Sequence, residues 1–445
     1  MSTVTSPTTA APRTGRTRDP FIDLLRTCAI VVVACGHWIM PVLSRHDGTL
    51  VAGNSLATPG WWSLTWLLQV MPVFFFAGGA ANHHSYTAEL RRGGNARSWL
   101  SARLCRLAVP VLPLTAVWLV VPNVLRGMGV PAQPVVLGAG IVGQLLWFLA
   151  VYVLTVAATP LMHTAARRWG PAVPVVLGGT AFAVDVLRLH GVPVVGYVNE
   201  VLVWLAVGQL GLAYAAGRFD RLSRVGAAAL GCAGFAATAL LVAFGHYPAS
   251  MVGLPGQAVS NMSPATVCLL TLGVGQIGVL LALRGPILRW ADRPGPARVL
   301  RTVGPRTMTV YLWHMPAMVV VAGVAVLGFG YATPVPGSPA WLVVTPLWIA
   351  GSAFVLRLLV WGFGRFEGIR PAAGSPSTGY LAVAVPLLCV GFTGLAAFGF
   401  ASTVLALPWV AAVLTGLALA WPGVPRRVYE TATGWLAALM DAIFR

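Results

Sequence analysis

Arg26 and His37 stand on one apolar stretch with ten residues between them, Arg26-Thr-Cys-Ala-Ile-Val-Val-Val-Ala-Cys-Gly-His37. Eleven helical steps of about 100° make roughly three turns, so both side chains share a face, about 16 Å apart along the axis. Ionisable residues are costly to bury in a membrane-length apolar segment, and there they usually mark a cavity or a pathway. A histidine in such a place can take a proton from a hydroxyl near neutral pH, because its ordinary pKa lies close to it. The plainer alternative is that Arg26 snorkels to lipid headgroups and His37 is a hydrogen-bonded packing residue.

Three further groupings bear on the choice. In Arg97-Ser-Trp-Leu-Ser-Ala-Arg103-Leu-Cys-Arg106, Arg103 and Arg106 are three apart and share a helix face. Two guanidinium forks on one face suit a phosphate-rich ligand, and equally suit anionic headgroups. Met71-Pro-Val-Phe-Phe-Phe-Ala-Gly-Gly79 leads to Asn82-His83-His84. Its glycines allow close helix approach, while adjacent histidines cannot share a face, so no metal pair is expected. Tyr311-Leu-Trp-His314 offers a second buried histidine, which either assists His37 or is simply hydrogen-bonded. Tyr152, Asp185, Arg188, Asn199, Glu200, Gln209, Asn261 and Gln276 are the other polar residues expected within the apolar segments. Asp185 and Arg188, three apart at a helix end, read as a local ion pair.

The elements that must hold these groups are membrane helices. The 445 residues are 57% hydrophobic and 9% charged, which no soluble domain needs. Apolar segments at 21–43, 61–81, 104–122, 144–163, 171–187, 199–216, 225–245, 264–283, 307–329, 340–362, 379–399 and 402–421 predict an all-α polytopic bundle of about twelve helices. Every basic side chain is Arg, and the net charge is +18. The arginines cluster before span one and after each even-numbered span, so both termini are expected on the cytoplasmic side. They form no single stripe, which argues against a nucleic-acid partner. The six cysteines lie in apolar context without zinc spacing. Residues 1–20 read as a disordered cytoplasmic arm, 21–363 as the main membrane domain, 364–378 as a linker, 379–421 as a terminal hairpin without ionisable groups, and 422–445 as a cytoplasmic tail.

Together these pieces resemble the membrane-bound acyltransferase family 3. The resemblance rests on the Arg-x10-His pattern of Arg26 and His37, the Phe-rich Met71–Gly79 run and the Arg-x-x-Arg of Arg103 and Arg106. It continues through Leu146-Trp-Phe-Leu-Ala-Val-Tyr152 and Tyr311-Leu-Trp-His314, and covers about residues 18–365. The Asn261-Met-Ser-Pro264 loop and the Arg-only composition look like the actinobacterial branch. The resemblance implies acyl transfer, of an acetyl or short acyl group, from cytoplasmic acyl-CoA to a hydroxyl of a glycan, cell-envelope component, lipid or secondary metabolite. It implies that His37 is the essential histidine with Arg26 its partner, and that Arg103 and Arg106 lie near the donor. His314, Tyr311 and Tyr152 are expected to line the cavity; no permanently bound cofactor or metal is implied. Where the family often has Ser-Gly after its Phe run, this chain has Gly78-Gly79, so no serine role carries over.

On this reading His37 deprotonates the acceptor hydroxyl or forms a transient acyl-imidazole. Arg26 holds a donor phosphate or polarises the thioester carbonyl. His37 is expected to line the inner part of a cavity with Arg26, Arg103 and Arg106 at its mouth. The terminal hairpin should stay outside that cavity. A transporter is the rival: twelve spans fit one, but corresponding broken helices in two halves should then appear. In a purely structural membrane protein, Arg26 and His37 would be replaceable.

Overall fold

The computed structural model describes residues 19–257, 259–369 and 375–421. The arm expected over 1–20 lies outside them except for Asp19 and Pro20, and the tail over 422–445 lies outside entirely. Asp19 is the N-cap of the first helix: its Oδ1 accepts from Phe21 N at 2.9 Å, and its Oδ2 accepts from Tyr214 OH at 2.8 Å.

In chain order the elements are α1 (Pro20–Ile39), β1 (Pro41–His46), β2 (Thr49–Asn54), α2 (Thr65–Leu68), α3 (Met71–Arg91), α4 (Ala96–Ala108), α5 (Val111–Gly127) and α6 (Ala132–Gln144). There follow α7 (Leu146–Trp169), α8 (Ala172–Leu189), α9 (Asn199–Ala215), α10 (Arg224–Phe244), α11 (Val267–Ala282) and α12 (Arg284–Ala291). The chain then runs through α13 (Pro294–Val303), α14 (Thr307–Gly323), α15 (Pro339–Phe363), α16 (Thr378–Phe398) and α17 (Thr403–Ala420). Among the described residues eleven helical stretches are long and apolar enough to cross a membrane; α11 with α12, bent by 68°, makes a twelfth. Helices α8 and α15 turn apolar residues outward, Val175, Val176, Leu347 and Trp361 among them, as lipid-facing surfaces do.

Several features were not expected from hydropathy. β1 and β2 pair antiparallel directly after α1. Asp47 and Gly48 both have positive φ, 48° and 76°, as a two-residue hairpin turn with matching twist requires. α6 is a separate helix that breaks from α7 at Leu145. The second span is broken at Gln69 and Val70, between α2 and α3. Its freed carbonyls are satisfied by Gln276 Nε2, which donates to Trp66 O at 3.1 Å and Gln69 O at 3.0 Å. Such a break is tolerated at membrane depth only when buried protein supplies these partners.

The two helices that carry the histidines are tied at both ends. α1 and α14 pack together and run in the same direction. Beyond the end of α1, Leu43 in β1 exchanges bonds with Thr333: Leu43 N donates to Thr333 Oγ1 at 2.9 Å and Thr333 N to Leu43 O at 2.7 Å. At the start of α14, the carboxylate of Glu367 accepts from Met308 N, Thr309 N and Thr309 Oγ1 at 3.2, 3.0 and 2.8 Å. These are orphan donors of a helix N-terminus, and an anion there also meets the positive end of the helix dipole.

α3 and α9 make the close approach expected of the Gly78-Gly79 pair. A Cβ at Gly79 would run into Gly208 O, and one at Gly211 into Phe76 O. Gly211→Val should therefore force the helices apart, at a cost of about 1–3 kcal/mol for overpacking. The expected outcome is a lower melting temperature in detergent and reduced abundance of folded protein; an unchanged melting temperature would refute the close contact.

Candidate active site

His37 and His314 meet at the core of the α1–α14 contact. His37 Nδ1 lies 2.9 Å from His314 Nε2, and His314 Nδ1 lies 2.6 Å from Tyr311 O. A carbonyl oxygen only accepts, so His314 Nδ1 carries the proton. In the neutral ring His314 Nε2 then holds a lone pair, and His37 Nδ1 must donate to it. That leaves His37 Nε2 as a lone-pair nitrogen with no hydrogen bond among the described residues. Trp38 Nε1 donates to His314 O at 2.9 Å and locks the two helices in this register. His314 is buried, 1% exposed, while His37 is partly exposed. In this geometry His37 Nε2 keeps a free lone pair of fixed tautomer, able to act as a base or a nucleophile, and His314 holds its ring.

Arg26, Arg103 and Arg106 converge on one small cavity between α1, α3, α4, α7 and α14, with a volume of about 50 Å³. The sequence builds this convergence simply. Asn95 starts α4 with a capping box, accepting from Arg97 N and Ser98 N at 3.0 Å while Ser98 Oγ accepts from Asn95 N at 3.1 Å. The helix then presents Arg103 and Arg106 one turn apart. Arg103 Nη2 is held by α3, donating to Ala81 O, Asn82 Oδ1 and Ser85 Oγ at 3.2, 3.0 and 2.8 Å. Arg106 is exposed. Arg26 makes no hydrogen bond or ion pair among the described residues, and its Nε is buried without a partner. A buried donor left unsatisfied is costly, and a guanidinium in that state can take an anionic ligand.

Tyr152 and Tyr311 are among the residues that line this cavity; His314 and His37 are not. The physical reason is aromatic packing. Phe148 and Tyr311 meet edge-on with centroids 5.3 Å apart, both lining the cavity, and the Tyr311 hydroxyl is anchored on Leu145 O. Tyr311 is the wall residue that adjoins the histidines, through its carbonyl. Ile30 is the last α1 residue on the cavity wall, and His37 lies seven residues, about 10 Å, further along the same helix.

Sequence reasoning missed Glu367. It falls in the stretch expected to be a linker, yet residues Gly364–Gly368 form a short helical turn and Glu367 lines the cavity. A lone acid amid Arg and apolar residues was its only signal. The expected Asp185–Arg188 ion pair is absent from the described residues. Asp185 instead accepts from Asn199 Nδ2, Tyr247 OH and Val267 N at 2.8, 3.2 and 2.8 Å, while Arg188 reaches toward Ser260 O and Pro264 O. Helix spacing could not show these partners, which come from α9, from the start of α11 and from the segment between α10 and α11. The terminal hairpin α16–α17 packs on α4, α5, α6 and α7 and contributes no wall residue. Among the described residues no group of three or more His, Cys, Asp or Glu is placed to hold a metal ion.

A family model described as an acyltransferase domain matches residues 19–364, from the N-cap of α1 to the end of α15. Neither a curated protein nor a solved structure matches the chain.

Proposed function

The chain belongs to the membrane-bound acyltransferase family 3 and is thus an enzyme embedded in a membrane; from that premise we propose that it moves a short acyl group from acyl-CoA to a hydroxyl-bearing acceptor. The carrying observation is the convergence of Arg26, Arg103 and Arg106 on one cavity whose wall, at Tyr311, adjoins the His37–His314 pair. The donor's phosphates sit among the three guanidiniums at the mouth, on the Arg-rich, cytoplasmic side. The pantetheine arm then runs along the Arg26–Ile30 face of α1. To bring the thioester to His37, the aromatic wall of Phe148 and Tyr311 has to part.

The step balances as follows. His37 Nε2 takes the proton of the acceptor hydroxyl as the oxygen attacks the thioester carbonyl carbon. The new C–O bond forms, the C–S bond breaks, and the proton on His37 passes to the departing CoA thiolate. His314 stays neutral and keeps His37 Nδ1 protonated throughout. The acceptor is a sugar, envelope component, lipid or secondary metabolite hydroxyl; its identity is set by whatever reaches His37 Nε2.

The test is release of free CoA thiol by the purified protein in nanodiscs, supplied with acetyl-CoA and extracted envelope or metabolite hydroxyl compounds. Acceptor-dependent release supports the reading. Transport of an intact donor across the bilayer with no thiol release would favour the transporter. A second expectation follows from the tautomer. His314→Phe removes the acceptor for His37 Nδ1 and should lower kcat about 10–100-fold, the range seen when an orienting partner is lost. His314→Gln, which can still accept a hydrogen bond, should recover part of it. Equal activity of both variants and wild type would show that His314 only packs.

A further inference from the structure

The cavity lined by Arg26, Arg103 and Arg106 has one acid in its wall among the described residues, Glu367. In this structure the cavity holds about 50 Å³, room for water but too little for the donor's diphosphate. Its inner end opens when Phe148 and Tyr311 part; its mouth needs a movable member as well. Every other wall residue belongs to α1, α3, α4, α7 or α14. Glu367 stands instead on the short turn Gly364–Gly368, with a glycine at each end. The turn is lightly held. Arg365 and Gly368 are exposed, and a Cβ at Gly368 would meet nothing within 4 Å. The Arg365 guanidinium lies over the Phe366 ring, 5.3 Å from its centre, and Phe366 faces Phe363 with centroids 6.5 Å apart. The firm attachment is the Glu367 carboxylate, on Met308 N, Thr309 N and Thr309 Oγ1. Among the described residues these are the only side-chain hydrogen bonds the turn makes.

An anion standing in a cavity of arginines competes with any phosphate that enters it. While the carboxylate stays, it repels the phosphate and the space is too small. Resting on the acyl-CoA reading above, we propose that Glu367 is an internal latch that sets the affinity of the donor site: its carboxylate keeps the mouth closed, and the donor's phosphates enter as the turn swings away. The bonds given up on opening lower the affinity of every phosphate ligand by one factor, the open fraction of the site. Small anions such as inorganic phosphate then fill it poorly, whereas the donor adds contacts along α1 that offset the loss.

Glu367→Gln is the informative variant: it keeps the shape and an accepting oxygen but loses the charge that strengthens the three bonds. The experiment measures binding of CoA and of inorganic pyrophosphate to wild type and Glu367→Gln, full-length in nanodiscs, with the melting temperature as the control for folding. Glu367→Gln should bind both ligands about tenfold more tightly than wild type, the scale of one charge-assisted hydrogen bond. The factor should be similar for the two, because the same latch opens whichever ligand enters. A second measurement needs no variant. In wild type, hydrogen exchange over residues 364–369 should quicken when CoA is added, the opposite of the slowing expected where a ligand merely covers the backbone. A carboxylate that only caps α14 gives a different pattern: Glu367→Gln binds CoA no more tightly than wild type, and exchange over the turn slows or stays the same. Either of those results overturns the latch, while CoA binding by wild type leaves the donor reading standing. Tighter binding of CoA without tighter binding of pyrophosphate would overturn it too, since the effect would then lie away from the phosphates. If neither protein binds CoA, the donor reading itself fails and the latch falls with it.

Discussion

His37→Ala should reduce acyl transfer by at least two to four orders of magnitude, the range that a positioned general base contributes. Folded, membrane-inserted protein should remain at near-normal abundance, because His37 is only partly buried and its one hydrogen bond, to His314, does not anchor either helix. The register of α1 against α14 is kept by Trp38 Nε1 on His314 O and by the Leu43–Thr333 pair. The measurement is acceptor-dependent CoA release, with size-exclusion elution as the control for folding. Near-full activity in His37→Ala would remove the mechanism. Mass spectrometry of wild type incubated with donor alone separates base from nucleophile: an acyl adduct on His37 marks the nucleophile.

Arg26→Ala should lower kcat/KM by about 10–100-fold, the value of one charge-assisted bond to a phosphate, with the loss concentrated in the donor KM. Arg26 is the informative position because its guanidinium makes no hydrogen bond or ion pair among the described residues. Arg103 is less so: it also ties α4 to α3 through Ala81, Asn82 and Ser85, so its removal disturbs packing as well as binding. Arg26→Lys should recover only part of the donor affinity, since a fork that grips two oxygens becomes a point charge. An unchanged donor KM in Arg26→Ala would favour headgroup anchoring, and the acceptor KM should move little in either variant.

What hydropathy and spacing made legible was whatever depends on neighbours along the chain. Twelve spans could be read because each is a run of apolar residues, and the shared face of Arg26 and His37 follows from helical pitch alone. The β1–β2 hairpin escaped, although Asp47-Gly48 between two short alternating runs is its signal. α6 escaped because Ala132–Gln144 falls between the spans expected at 104–122 and 144–163 and, at 13 residues, is too short to read as a span of its own. Contacts across hundreds of positions could not be read at all. His37 and His314 are 277 residues apart, and only packing of α1 on α14 brings the two rings within hydrogen-bond reach. Glu367 is 58 residues from the backbone donor it satisfies at Thr309. The aromatic wall between cavity and histidines likewise needs α7 and α14 in place before Phe148 and Tyr311 can meet.

The central claim is that one donor spans from the arginines to His37. The measurement that tests it most directly is an electron cryomicroscopy map of the protein in nanodiscs with a non-hydrolysable acyl-CoA thioether. The account predicts phosphate density against Arg26, Arg103 and Arg106, the pantetheine arm along the Ile30 face of α1, and Phe148 or Tyr311 displaced so that the thioether lies within reach of His37 Nε2. Phosphates bound away from all three arginines, or a thioether held off from His37 with the aromatic wall closed, would contradict it.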